Sequence, residues 1–452
     1  MDKRSLCRVV IKLREAGAGP RALVQEILAL HPGTTLHRLF TSVDTETISR
    51  WVNKARQSAP GYRAPDFNAY YAVSCLPEVR TEHLVQRLTT LDAVELAYLE
   101  LGFLPAPGTS HPSLQALNRQ GYLGPAPEGL DILHAWKWQG GRGGSIRFID
   151  IEQGWQQHHE ALTLRTLPIT GINSDSFASH GAAVLGVLGL QPNNTGCVGI
   201  APDAAGYVVS QWRPDGVFNT ADAIMAAIGH LQPGDVLLLE AQTFYTTTVT
   251  KTWPVEIHEA CFQAIRLADA MGIIVIEPAG NGSTEAPEGN DLDLFMVEDR
   301  PVLDPLSEQY LDSGAILVGA ASHTVPHMRL PCSNYGRRVN CYAWGEQVAT
   351  AGNYPHSSGM AINTYTGTFG GTSAAAAIIA GAAILLQSIT EANLHFRLNP
   401  RQMRSLLASD HFGTPSARGS FVDKIGVMPN LQKIIDEALR ITPSLQRVGE
   451  TF

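Results

Sequence analysis

Cysteine is scarce: six residues in 452 (Cys7, Cys75, Cys197, Cys261, Cys332 and Cys341), without metal-ligand spacing and too few to staple a fold of this size. Free, largely buried thiols are expected; Cys332 and Cys341 are the only close pair, and a bridge between them stays open. Basic charge is also in deficit, with 33 lysines and arginines against 42 acidic residues and a formal net charge of -9, which argues against a nucleic-acid partner. Long hydrophobic runs are missing. The longest, Ala374 to Leu386, is rich in alanine and glycine and shorter than the about 20 residues a spanning helix needs, so no membrane partner is expected. The N-terminus lacks the apolar core of a signal peptide, since the Val9 to Ile11 cluster is broken by Lys12 and Arg14. A cytoplasmic location is the expectation, with export by another route left open.

What is present is 44% apolar residues in alternating strand-like and helix-like segments. The first hundred residues read as strand (Cys7 to Leu13), helix (Arg21 to Leu30) and strand (Thr35 to Phe40), then a polar stretch with Ser42, Asp44 and Thr45. Strand (Ala69 to Cys75), helix (Thr81 to Leu91) and strand (Val94 to Glu100) follow. That order predicts a small α+β, ferredoxin-like domain over 1–104, with helices on one face of an antiparallel sheet. Residues 105–125 carry Pro105, Pro107, Gly108 and Pro112 and read as a linker. Over 126–452, uniformly apolar strands (Ile146 to Asp150, Tyr207 to Ser210, Val236 to Glu240, Ile273 to Glu277, Ala315 to Ala320) alternate with helices near Ala182 to Leu190, Thr220 to Leu231, Val255 to Met271 and Ser373 to Ile389. The pattern predicts an α/β domain with a mostly parallel sheet covered on both faces.

Ligands of such sheets bind beyond the carboxyl ends of the strands. Asp150 ends one strand, Asn281 follows another through Pro278-Ala279-Gly280, and His180 and Ser373 each open a helix. An acid, an imidazole, a carboxamide and a hydroxyl on one rim are the parts of acyl transfer. Ser373 attacks, His180 carries the proton, Asp150 holds the imidazole, and Asn281 with a backbone N–H receives the oxyanion.

Gly371-Thr372-Ser373-Ala374-Ala375-Ala376-Ala377-Ile378-Ile379-Ala380-Gly381, His180-Gly181-Ala182-Ala183-Val184-Leu185-Gly186 and Pro278-Ala279-Gly280-Asn281 together resemble the sequence boxes of the subtilisin-like serine proteases, the subtilases. Ser333-Asn334-Tyr335-Gly336 and Gly199-Ile200-Ala201-Pro202 are similar to further marks of that family. Asp150-Ile151-Glu152 departs from the family's Asp-Ser-Gly or Asp-Thr-Gly, and Ala377 stands where a proline is usual, which marks a divergent subgroup. The resemblance implies a subtilisin-like fold over 126–452 and a serine endopeptidase acting on protein or peptide substrates. It also implies that 1–104 is a propeptide, an intramolecular inhibitor of a zymogen that cuts itself between Leu101 and Leu123.

Ala279 and Gly280 with Glu240-Ala241-Gln242 take the place of the family's substrate-pocket walls. Glu240 either selects a basic residue before the cut or is satisfied by nearby backbone. No metal cluster is expected from His158-His159-Glu160, and no cofactor is required. Calcium ligation by the acidic stretch Glu285 to Asp304 stays open. A peptide ligase or macrocyclase on the same fold, and a catalytically silent binding module, are the alternatives to a restricted, self-processing endopeptidase.

Overall fold

In the computed structural model the described residues are 7–74, 79–102, 120–156, 159–162, 170–193, 197–245, 250–283, 288–297, 300–352, 355–356, 359–360 and 364–440. The N-terminal domain runs β1 (Cys7–Leu13), α1 (Ala18–Ala29), β2 (Thr35–Arg38), α2 (Thr45–Ser58), β3 (Tyr70–Ser74), α3 (Thr81–Thr89) and β4 (Val94–Leu101). Its strands lie in the order β2-β3-β1-β4, all antiparallel, as the ferredoxin-like reading predicts. The polar stretch after β2 is where structure and expectation part. It caps an amphipathic helix, α2, whose N-cap Asp44 accepts from the Thr47 N–H at 2.8 Å and which buries Ile48, Val52 and Ala55.

Along β1 the side chains alternate between two cores. Val9, Ile11 and Leu13 pack with Val24 and Leu28 of α1 and Leu84 and Leu88 of α3. Val10 faces the other way, into a core shared with the second domain. This two-sided burial explains why Val9, Val10 and Ile11 are apolar in succession between Arg8 and Lys12.

The second domain contains β5 (Arg147–Glu152), α4 (Ala178–Gly189), β6 (Ala205–Ser210), α5 (Thr220–Ile228), β7 (Val236–Leu239), β8 (Gln242–Phe244), β9 (Thr252–Pro254), α6 (Glu259–Ala270), β10 (Ile274–Pro278), β11 (Ile316–Ala321), β12 (Cys341–Trp344), α7 (Gly371–Leu394), β13 (Gly413–Pro415) and β14 (Val427–Pro429). Its large sheet has the order β13-β14-β12-β11-β10-β7-β5-β6, parallel except for the β13 edge. Helices cover both faces, α4 and α7 in one core and α5 and α6 in the other.

Four boundaries correct the sequence reading. Strand β5 continues past Asp150 to Glu152. Helix α4 starts at Ala178, so His180 lies inside its first turn. Val255–Ile257 is a separate turn before α6. Tyr122 and Leu123, in the stretch assigned to the linker, already belong to the core: Tyr122 is fully buried and its hydroxyl donates to Ala349 O at 3.0 Å. The apolar run at 374–386 is the middle of α7, which at 24 residues is long and apolar enough to cross a bilayer but is 94% buried inside the protein.

The N-terminal sheet does not end at β4. Strand β8 pairs antiparallel with β4 through Leu101 and Phe244, β9 pairs with β8, and one six-stranded sheet joins the domains. Beneath it, Arg8 Nε donates to Glu100 Oε2 at 2.7 Å and Arg8 Nη2 to Asn219 Oδ1 at 2.7 Å. Asp222 accepts from the Thr41 and Ser42 N–H groups at 2.7 and 3.0 Å and from Arg213 Nε at 2.9 Å. Tyr98 stacks on His258, 5.3 Å between ring centroids.

Candidate active site

Asp150 and Glu152 leave the same face of β5 because they are two residues apart on a strand. Both are buried, at 0% and 2% exposure. His180 Nδ1 lies 2.7 Å from Glu152 Oε1. A carboxylate only accepts, so Nδ1 carries the hydrogen and Nε2 presents its lone pair. Gly181 permits this approach, since a Cβ there would meet Gly154 O and lie 2.5 Å from the Trp155 ring. Phe369 packs edge-on against the imidazole, 5.6 Å between centroids.

Asp150 was the residue expected to hold the ring, and the geometry corrects that. Its Oδ2 accepts instead from Trp155 Nε1 at 2.7 Å, and its Oδ1 is buried without a hydrogen-bond partner. The longer side chain two residues on, at the very edge of the sheet, reaches the imidazole. The atypical residues after Asp150 were the only signal of this in the sequence.

Glu240 follows β7, whose register against β5 pairs Asp150 with Leu238 and Ile151 with Leu239. The Glu240 N–H donates to Ile151 O at 3.1 Å, which sets Glu240 beside Glu152. It is 7% exposed, and both carboxylate oxygens are buried and unpartnered. Thus it is turned inward on His180 and Ser373 and makes neither the backbone bonds nor the open pocket wall anticipated for it. Burial pushes all three carboxyls well above the usual range: for Glu240 it outweighs the opposing pull of His180 and is reinforced by Glu152 and Asp150, with Ser373 opposing; for Asp150 Glu152 adds to it, opposed by Trp155 and His180; for Glu152 it acts alone. Burial lowers the pKa of His180, opposed by Glu240 and Asp150.

The other half of the rim is made of backbone and amides. Gly280, at φ +96°, turns the chain after β10, and a Cβ there would sit 2.7 Å from Asn334 Nδ2. Asn334 Nδ2 donates to Ala279 O at 2.7 Å, and the Asn334 N–H donates to Gly280 O at 3.0 Å. Gln242 Oε1 accepts from the Asn281 N–H at 2.9 Å, so Gln242 positions the segment, while Ala241 is buried beside Glu240. Asn281 Oδ1 accepts from Thr372 N–H and Oγ1 at 2.9 and 3.0 Å, which directs its Nδ2 donors outward. Gly371, at φ +80°, opens α7 next to that carboxamide; a Cβ there would lie 3.0 Å from Asn281 Oδ1. Ser373 sits in the first turn of α7, where the helix N-terminus favours negative charge. No hydrogen bond joins Ser373 to His180 among the described residues; such bonds often tighten only with substrate.

Beside the oxyanion segment is a cavity of about 660 Å³ lined by Tyr245, Lys251, Trp253, Asp291, Phe295 and Tyr335. The acidic stretch considered for calcium is partly neutralised from within. Lys424 Nζ lies 2.9 and 2.8 Å from Asp291 and Asp293, and Arg337 bridges Asp293 and Asp304. Glu285, Glu298 and Asp299 lie outside the described residues, as does His158. His159 is structural, its Nε2 2.8 Å from Thr364 O. Cys197, Cys261, Cys332 and Cys341 are free thiols.

The subtilase family model matches residues 166–424, a span that includes His180, Asn281 and Ser373 and begins after Asp150 and Glu152. No curated protein sequence matches the chain. Among solved structures, fervidolysin from Fervidobacterium pennivorans, a keratinolytic enzyme related to subtilisin, superposes with a TM-score of 0.55 at 16% identity, covering 89% of this chain and 61% of its own. The prenylagaramide maturation protease PagA matches with a TM-score of 0.48 at 20% identity, over 68% of this chain and 98% of its own. The chain belongs to the subtilase family and is a subtilisin-like hydrolase.

Proposed function

We propose that the chain is a self-processing serine endopeptidase of restricted specificity, with Ser373 as nucleophile, His180 as base, Glu152 as the residue that positions His180, and Asn281 as oxyanion donor. The observation that carries this reading is the 2.7 Å contact between His180 Nδ1 and Glu152 Oε1, because it leaves Nε2 free to accept a proton. In the first step Ser373 Oγ bonds to the scissile carbonyl carbon and its proton passes to His180 Nε2. The carbonyl electrons move to an oxyanion received by Asn281 Nδ2 and the backbone N–H of Ser373. His180 then protonates the leaving amine as the C–N bond breaks. Water repeats the cycle on the acyl-enzyme, giving its proton to His180 and releasing Ser373.

The N-terminal domain acts in this reading as the intramolecular inhibitor. Support comes from the sheet it shares with the catalytic domain. Strand β4 pairs with β8, two residues beyond Glu240, and Thr243 Oγ1 donates to Leu101 O at 2.6 Å. The chain therefore leaves Leu101 at the same segment that borders the site, and self-cleavage falls between Leu101 and Leu123.

Intact mass and N-terminal sequence of the wild type beside Ser373→Ala, with fluorophosphonate labelling, test the proposal. A cut between the domains and a labelled serine are expected in the wild type only. An uncut, unlabelled wild type would overturn it.

A further inference from the structure

Three buried carboxylates, Asp150, Glu152 and Glu240, share one imidazole on a single sheet face. Glu152 holds His180, and Asp150 has the Trp155 indole. Glu240 has neither: its two oxygens are buried without a formed hydrogen bond, although the carboxyl faces the Ser373 hydroxyl. A charged carboxylate is costly to bury unpaired, and an ionised Glu152 in the adjacent strand raises that cost. The groups facing Glu240 are His180 from α4, Glu152 and Asp150 from β5, and Ser373 from α7, so no fixed positive charge opposes the trio. Retaining a proton is the low-energy state of such a cluster.

We infer that Glu240 is a catalytic residue that works as a neutral carboxylic acid, donating a hydrogen bond to Ser373 Oγ. The inference rests on the serine-peptidase reading and adds a role to it. When the acyl-enzyme is hydrolysed, the bond between the acyl carbon and Ser373 Oγ breaks and its electron pair returns to Oγ. The proton that restores the hydroxyl comes from His180. The Glu240 hydroxyl stabilises the developing charge on Oγ and keeps its own proton, so no other reactant is needed. Ionised, the same group would repel that charge. The active form therefore combines neutral His180 with neutral Glu240. As pH falls, His180 protonates and activity is lost; as pH rises, Glu240 ionises and activity is lost again.

The test is the pH dependence of kcat and KM for a chromogenic peptide ester with wild type, Glu240→Gln and Glu240→Ala, together with the fluorophosphonate labelling rate of wild type. Glutamine keeps a donor and cannot ionise, so E240Q should stay active above the alkaline limb of wild type with KM little changed. E240A should lose roughly 10- to 100-fold in kcat and show a burst of first product as acyl-enzyme accumulates. In wild type alone, labelling should slow through the same alkaline limb, a result independent of how the variants fold. Coincident alkaline limbs for wild type and E240Q, or wild-type kcat in E240A, would overturn the role of Glu240 while leaving labelled Ser373 intact. A wild type that never labels would instead remove the serine-peptidase reading on which the role depends.

Discussion

Two regions of this molecule treat their buried carboxylates in opposite ways. At the domain interface each has a cation: Glu100 meets Arg8, and Asp222 meets Arg213 while also accepting two backbone N–H groups. At the candidate active site Asp150, Glu152 and Glu240 have one histidine among them, and three of their oxygens make no hydrogen bond. Pairing at the interface fixes how two domains meet. Leaving carboxylates uncompensated at the edge raises their proton affinities.

The sharpest test of this contrast is within the edge itself. Glu152→Gln should lower kcat by roughly 10³- to 10⁴-fold, because the imidazole loses the acceptor that sets its tautomer, whereas Asp150→Asn should cost far less. Steady-state kinetics of both variants decides it, and the reverse ranking would return the positioning role to Asp150. At the interface, Arg8→Met leaves Glu100 buried without its partner and should cost about 3–5 kcal/mol of stability. Chemical denaturation of the Ser373→Ala background reads that loss, and an unchanged midpoint would show that the pair is not desolvated in solution.

The smallest effect concerns acid. Burial holds the pKa of His258 down to about 4 from 6.5, and its Nε2 lies 2.9 Å from Thr243 Oγ1. A depressed folded-state value means that the unfolded or undocked form binds the proton more readily. His258 thus supports docking fully above pH 6.5, and that support is lost as pH falls toward 4. Limited proteolysis of the 103–119 connection in Ser373→Ala should accelerate across that window, and His258→Gln should flatten the change.

Much of this was legible in the residue order. The alternation of apolar strands and helices gave the α/β class, and the βαβ-βαβ rhythm gave the N-terminal sheet order. The boxes around His180, Asn281 and Ser373 located three of the site residues, because each box is local: a glycine that allows a close approach lies within two residues of the side chain that uses it. Helix α2 was hidden because its polar face dominates its composition while Ile48, Val52 and Ala55 bury the other.

By itself the sequence determined which elements form, and that an imidazole, a hydroxyl and a carboxamide meet at one rim. Only the tertiary structure decided which acid serves the imidazole. That choice depends on how far β5 extends and on its register against β7, where paired residues are 88 apart in the chain, as Asp150 and Leu238 are. The same holds for Glu240 and for the sheet that carries β4 into β8. Strand propensity is local, but register and strand partners are set by which faces must be buried together, and that is a property of the assembled layers.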